Sequence, residues 1–169
     1  MLAQEIQDKP PSSLTQVPFF SSRPKVKPCW RLLPIEYLSN FEYITGQFAA
    51  FGLKFEDAIA FRPSNPRFLG DRVDPRFLMS ASRSRTLKVK VLKATSSMHL
   101  WLMGSEVITV STLDDQGRCT SVAETARTLC ADTYDPYTEE SLTLDTRTTE
   151  TLLIDSKAPF VITQFAVKQ

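Results

Sequence analysis

The segment Thr86-Leu87-Lys88-Val89-Lys90-Val91-Leu92-Lys93 alternates apolar and basic residues, which sets Leu87, Val89 and Val91 on one face and the lysines Lys88 and Lys90 on the other. A period of two describes an extended strand with one face on a core and one in water. Other short β-rich runs recur along the chain. Gln47–Phe55 and Asp57–Phe61 are rich in Phe, Ala and Ile, and Met98–Met103 is apolar on both faces of an expected strand. Val107–Leu113 leads into the turn signal Asp114-Asp115-Gln116-Gly117, and Cys119–Val122 leaves it, the pattern of a hairpin. Leu142–Leu144, Thr151–Ile154 and Phe160–Val167 complete the series. A spacing of roughly ten residues between such runs predicts an all-β antiparallel sandwich or barrel.

Helical signals are few. No apolar stripe of period 3.6 exceeds two turns. Short helices are expected only at Val122–Cys130 and, more weakly, at Ile35–Phe41. Pro63, Pro66 and Pro75 break the stretch from Arg62 to Phe77, which reads as a long loop of the kind that carries binding surfaces. Six of the eleven prolines fall in residues 1–34, so that segment is expected to be an extended, Pro-rich arm ahead of a sandwich domain spanning residues 35–169. The arm carries Phe19, Phe20 and Trp30, large apolar groups that need a place to bury, on the arm's own domain or on a partner.

The block Gly46-Gln47-Phe48-Ala49-Ala50-Phe51-Gly52-Leu53-Lys54-Phe55, with Asp57-Ala58-Ile59-Ala60-Phe61-Arg62-Pro63 after it and the closing run Ser156–Phe165, resembles the bacterial β-sandwich domains of PEP-CTERM-sorted proteins. The resemblance covers about residues 41–169. It implies a jelly-roll-like β-sandwich with paired first and last strands, of the kind shared by many carbohydrate-binding modules. It also implies a bacterial source, with cyanobacteria as the expected group. Residues 1–34 show no secretory signal and the sorting tail is not seen, so the expected location is cytoplasmic.

Catalytic and ligand motifs are sparse. His99 is the single histidine and has no nucleophile context such as GxSxG around it, so it is read as a buried or interface residue. Cys29, Cys119 and Cys130 form no CxxC and are expected as free thiols. Asp114-Asp115 and Glu139-Glu140 are adjacent carboxylates, which point to opposite faces of a strand and make no acid/base couple. The loop Asp132–Tyr137 lacks the calcium pattern, while its Tyr134 and Tyr137 are candidate rings for stacking on a sugar. No glycine-rich phosphate loop is present. No metal, cofactor or enzymatic activity is expected.

Charge is the sharper signal. The chain nets +1, but residues 1–95 hold 15 Lys+Arg against 8 Asp+Glu, and residues 96–169 hold 5 against 11. Such asymmetry points to a surface for an anionic partner, or to internal pairing of the two halves. Nucleic acid would use Phe68 and Phe77 as exposed rings, but the pI near 7.7 is low for that class. The leading expectation is a non-enzymatic adapter or linker docking on an acidic protein surface in a larger assembly, such as a cyanobacterial light-harvesting complex. Its contact residues are Phe19, Phe20, Arg23, Lys25, Lys27, Trp30 and Arg31 of the arm, with Arg62, Arg67, Arg72 and Arg76 of the loop. The alternative is a carbohydrate-binding β-sandwich module, and the third reading an unrecognised hydrolase.

Overall fold

The computed structural model describes residues 29–82, 85–126 and 135–169. Twelve strands carry the chain: β1 (Trp30–Leu32), β2 (Glu42–Ile44), β3 (Leu53–Glu56), β4 (Ala58–Phe61), β5 (Phe77–Ser80), β6 (Thr86–Val91), β7 (Ser97–Gly104), β8 (Ile108–Leu113), β9 (Cys119–Glu124), β10 (Glu139–Asp145), β11 (Thr151–Ser156) and β12 (Phe160–Lys168). All pairings are antiparallel. A seven-stranded sheet runs β10-β7-β12-β5-β4-β2, with β1 also on β12, and a five-stranded sheet runs β3-β6-β11-β8-β9. From β3 onward the chain passes repeatedly from one sheet to the other, as a jelly-roll-like sandwich does. No helix among the described residues is long and apolar enough to cross a membrane.

The inward faces meet in one core. Leu87 and Val89 are fully buried and Val91 nearly so, as the alternation requires. They face Leu78, Leu100, Leu102 and Ile162 of the large sheet within the same cluster. Phe55 bridges the layers, 5.5 Å from the Phe48 ring and 5.9 Å from Phe165, both edge-on. On the opposite face of β6, Lys90 and Lys88 reach Glu56 at 2.9 and 3.2 Å.

β12 departs from simple alternation. Its register against β7 slips between Ile162 and Gln164, a bulge at Thr163. Val161 therefore points outward with Met103, yet Phe165 points inward to Phe55, and Ala166 takes the outward position. Were Thr163 to hold a regular place in the ladder instead of bulging, Phe165 would share the outward face with Val161.

Several sequence expectations change. The sheet begins at Trp30, inside the span assigned to the arm: Arg31 pairs with Val167 and Leu32 with Ala166, and Leu33 is 1% exposed. The helix expected from Val122 is the end of strand β9, because Val122 and Ala123 pair with Ser111 and Val110. Residues 127–130 of that expectation lie outside the described residues. Ile35–Tyr37 makes one 3-10 turn, ended by extended Leu38. Strand β3 starts only at Leu53, after a 3-10 turn at Ala49–Phe51. Gly52 ends that turn at φ +81°, and a Cβ there would stand 2.8 Å from the Lys93 Cβ. The loop expected from Arg62 holds a short helix α1 (Pro66–Leu69), capped by Asn65, whose side-chain oxygen accepts from the Arg67 N–H at 3.0 Å. Phe77 already belongs to β5.

Two outcomes test this account. Deleting Thr163 removes the bulge but leaves Ile162, Gln164 and Phe165 in regular alternation with Phe165 still inward, so the chain is expected to keep a cooperative unfolding transition in denaturant; Leu33→Ala is expected to lower stability by about 2–5 kcal/mol. The Glu56 carboxyl lies below the ordinary value of 4.5 because Lys90 hydrogen-bonds it, with Lys88 adding to the effect and slight burial opposing. Its stabilisation is therefore full above the unfolded value and is lost as pH falls through the folded one. Glu56→Gln is expected to flatten the acid limb of a stability-versus-pH curve, by no more than about 1 kcal/mol for so exposed a pair.

Candidate functional site

Both tryptophans and the only histidine of the chain meet on the outward face of the large sheet. The ladder explains how. Leu32, Ala166, His99 and Thr143 lie in one cross-strand row, with Gln164, Trp101 and Ser141 in a second and Trp30, Lys168, Ser97 and Asp145 in a third. Residues two apart share a face, so these rows form one surface. The His99 ring stacks on Trp101 at 4.0 Å between centroids, tilted by 35°, and meets Trp30 edge-on at 5.8 Å. Nδ1 of His99 lies 2.9 Å from the Thr143 hydroxyl, while Nε2 is shielded and has no partner. Lys168 Nζ stands 5.9 Å from the Trp30 ring centre.

The result is an aromatic platform open to solvent. Trp30 is 44% and Leu32 49% exposed, and with His99, Trp101 and Ala166 they line a depression of about 350 Å³. Ala166 is the floor, its small side chain leaving the rings proud of the sheet. Exposed Gln164, Ser141 and Thr143 flank the rings with donors and acceptors.

Another part of this outward face is covered. The segment Arg62–Arg76 folds over it, and Phe77, Met103 and Val161 form a second apolar cluster beneath Phe61, Phe68, Met79 and Tyr137. Arg72 Nη2 donates to Glu139 Oε1 at 2.6 Å, and the Thr163 hydroxyl donates to the same oxygen. Arg67 Nε donates to the Asp135 carbonyl at 2.9 Å, and its guanidinium lies 4.2 Å from the Tyr137 ring centre. Arg76 and Arg62 share Asp74 Oδ1 at 3.0 and 3.2 Å. Arg76 holds the Asp74 carboxyl below its usual range by hydrogen bonding, slight desolvation opposing, with the charges of Arg76 and Arg62 adding to the lowering.

These contacts locate the sequence candidates. Arg31 stacks 4.6 Å over Phe51 and donates to Gln169, and Trp30 is in the platform. Arg62, Arg67, Arg72 and Arg76 all have partners within the chain, so part of the charge asymmetry is internal pairing. Tyr137 packs edge-on against Phe68 at 4.8 Å as part of the loop's own cluster. Phe77 is not an exposed ring but is 2% exposed beneath that loop. Phe19, Phe20, Arg23, Lys25, Lys27 and Tyr134 lie outside the described residues. Cys29 and Cys119 are exposed free thiols. Glu139 and Glu140 do point apart: Glu139 to Arg72, Glu140 to the Ala126 N–H at 3.0 Å.

Sequence reasoning missed Trp101 and His99 as a pair. The signal was present, since His99 and Trp101 are two apart in a strand and share a face, but Met98, Leu100 and Leu102 hid it. A larger groove of about 620 Å³ lies at one end of the sandwich. No aromatic ring lines it, and its arginines are paired, Arg118 with Asp114 at 2.8 Å and Arg147 with Asp145 at 3.3 Å.

No protein-family model matches the chain, and no curated protein matches it. Among solved structures, it is similar to the K1 cleaved adhesin domain of Lys-gingipain from Porphyromonas gingivalis W83, at 7% identity and TM-score 0.48, over 83% of this chain and 98% of that one. It is also similar to CsCBM6-3 from Clostridium stercorarium in complex with cellobiose, at 10% identity and TM-score 0.40, over 69% and 86%. A third is the CBM22-1 xylan-binding domain of Paenibacillus barcinonensis Xyn10C, at 13% identity and TM-score 0.38, over 76% and 90%.

The loop's anchorage is open to test. Glu139→Ala leaves Arg72 partly buried without its carboxylate, and is expected to cost about 1–2 kcal/mol. It should also speed proteolytic cleavage within residues 62–76, read by mass spectrometry of timed digests.

Proposed function

We propose that the chain is a non-catalytic, glycan-binding β-sandwich module whose ligand lies across the platform of Trp30, His99 and Trp101. The convergence of both tryptophans and the sole histidine on an exposed sheet face carries this reading. An indole left as exposed as Trp30 forgoes burial, and an apolar surface edged by Gln164, Ser141 and Thr143 suits a sugar ring, which has apolar C–H faces and a hydroxyl rim. The reading rests on this surface rather than on the distant structural likenesses.

A hydrolase has less support. As a base, His99 faces the Thr143 hydroxyl, but its other nitrogen lacks the orienting group such a couple needs. The adapter reading also has less, because Arg62, Arg67, Arg72 and Arg76 bond within the chain.

The two tryptophans make the test direct, since both sit at the site. Titration with soluble β-1,4-linked glucan, xylan and galactan is expected to shift intrinsic tryptophan emission with at least one of them. Trp101→Ala should weaken that binding roughly tenfold or more, the loss of a central aromatic anchor, and Tyr137→Ala should leave it unchanged. An unshifted emission with neutral and acidic polysaccharides alike overturns the reading, as does full binding by Trp101→Ala.

A further inference from the structure

The platform does not end at Trp101. A crevice of about 290 Å³ adjoins it through Leu32, which lines both, and is walled by Leu33, Glu36, Arg72, Arg76, Phe77 and Gln164 among others. On β12, Gln164 of the crevice lies two residues from Ala166 of the platform floor, about 7 Å at the usual rise per strand residue. That is the scale of one sugar ring, so a chain lying on the rings extends into the crevice.

The chemistry changes over that distance. The platform is apolar, whereas the crevice presents two guanidinium groups held in place. Arg72 is fixed by Glu139 and lies 5.6 Å over Phe77. The Arg76 side chain is only 19% exposed, and among the described residues its hydrogen bonds leave from Nη1, to Asp74 Oδ1 and to the carbonyls of Asp74 and Pro75. Its Nε is shielded from solvent and has no acceptor among the described residues. The side chain thus bonds the loop through one nitrogen, while its positive charge lines the crevice and attracts an anion there. Asp74 is shared by two arginines, which leaves one positive charge of that trio unbalanced. Exposed Glu36 also stands at the crevice wall, and Glu139 lies behind it on Arg72.

We infer that the site selects acidic polysaccharides: a neutral sugar packs on the rings of Trp30, His99 and Trp101, while a uronate carboxylate on the adjoining sugar enters the crevice and meets the unbalanced positive charge of Arg76. This inference rests on the platform reading and adds the class of glycan. Calorimetric titration of the full chain with an oligogalacturonate and with its carboxyl-reduced counterpart separates the two. The acidic oligomer is expected to bind about tenfold tighter or more, with the advantage shrinking as salt rises. Arg76→Gln should erase that advantage and keep the weaker neutral binding, whereas Arg76→Lys, which retains the charge, should keep most of the advantage. Trp101→Ala should weaken both ligands. Glu36→Gln, a surface change that leaves Arg76 untouched, should tighten only the acidic one.

Equal, Trp101-dependent affinity for the two oligomers overturns the inference and leaves the platform reading standing. Binding of neither overturns both. Displacement of the acidic oligomer by poly-L-glutamate at equal carboxylate concentration overturns the glycan class in favour of an acidic protein surface.

Discussion

A single extra residue in β12 organises this molecule. The bulge at Thr163 lets one strand serve two opposite demands on its outward face. Before it, Val161 faces outward into the apolar cluster beneath the loop; after it, Phe165 faces inward to Phe55 and leaves the outward position to Ala166. The displaced Thr163 hydroxyl reaches Glu139, the same carboxylate that anchors Arg72. Core packing, loop anchorage and the floor of the platform therefore all follow from one shift in register.

That shift divides the outward face of the large sheet into a covered and an open half. Over the covered half, Arg67, Arg72 and Arg76 bind a carbonyl, a carboxylate and a shared aspartate, while Phe68 and Tyr137 cap the apolar cluster. Over the open half no chain segment among the described residues lies on Trp30 and Leu32, which stay about half exposed. A sandwich buries one face of each sheet in its core, so an apolar aromatic strip left on the other face is unexplained by folding alone. The crevice forms where these halves meet, and its arginines are rigid because the loop is anchored to the sheet.

Much of the fold was legible. Alternation in Thr86–Val91 named the buried residues of β6, and Asp114 with Gly117 named the hairpin turn, where the Asp114 carboxylate accepts from the Gln116 and Arg118 N–H groups at 2.9 and 2.8 Å. What failed did so where local signals were outweighed by pairing. Val122 and Ala123 read as helix until the β8 ladder claimed them, and Trp30–Leu32 read as arm because a three-residue strand has too few alternations to show itself. The arginines were legible as a cluster, but their partners Asp74, Glu139 and the Asp135 carbonyl were not, since two of these come from the far half of the chain.

Sequence alone determined the class of the fold, because the period-two pattern and the turn chemistry are local properties of consecutive residues. It also determined that His99 and Trp101 share a face, whatever that face touches. Tertiary structure decided that the face is outward, that Trp30 joins it from far along the chain, and that Arg76 lines the crevice beside it. These depend on strand order and on the one-residue slip at Thr163, and such non-local registers leave no trace in the spacing of neighbours.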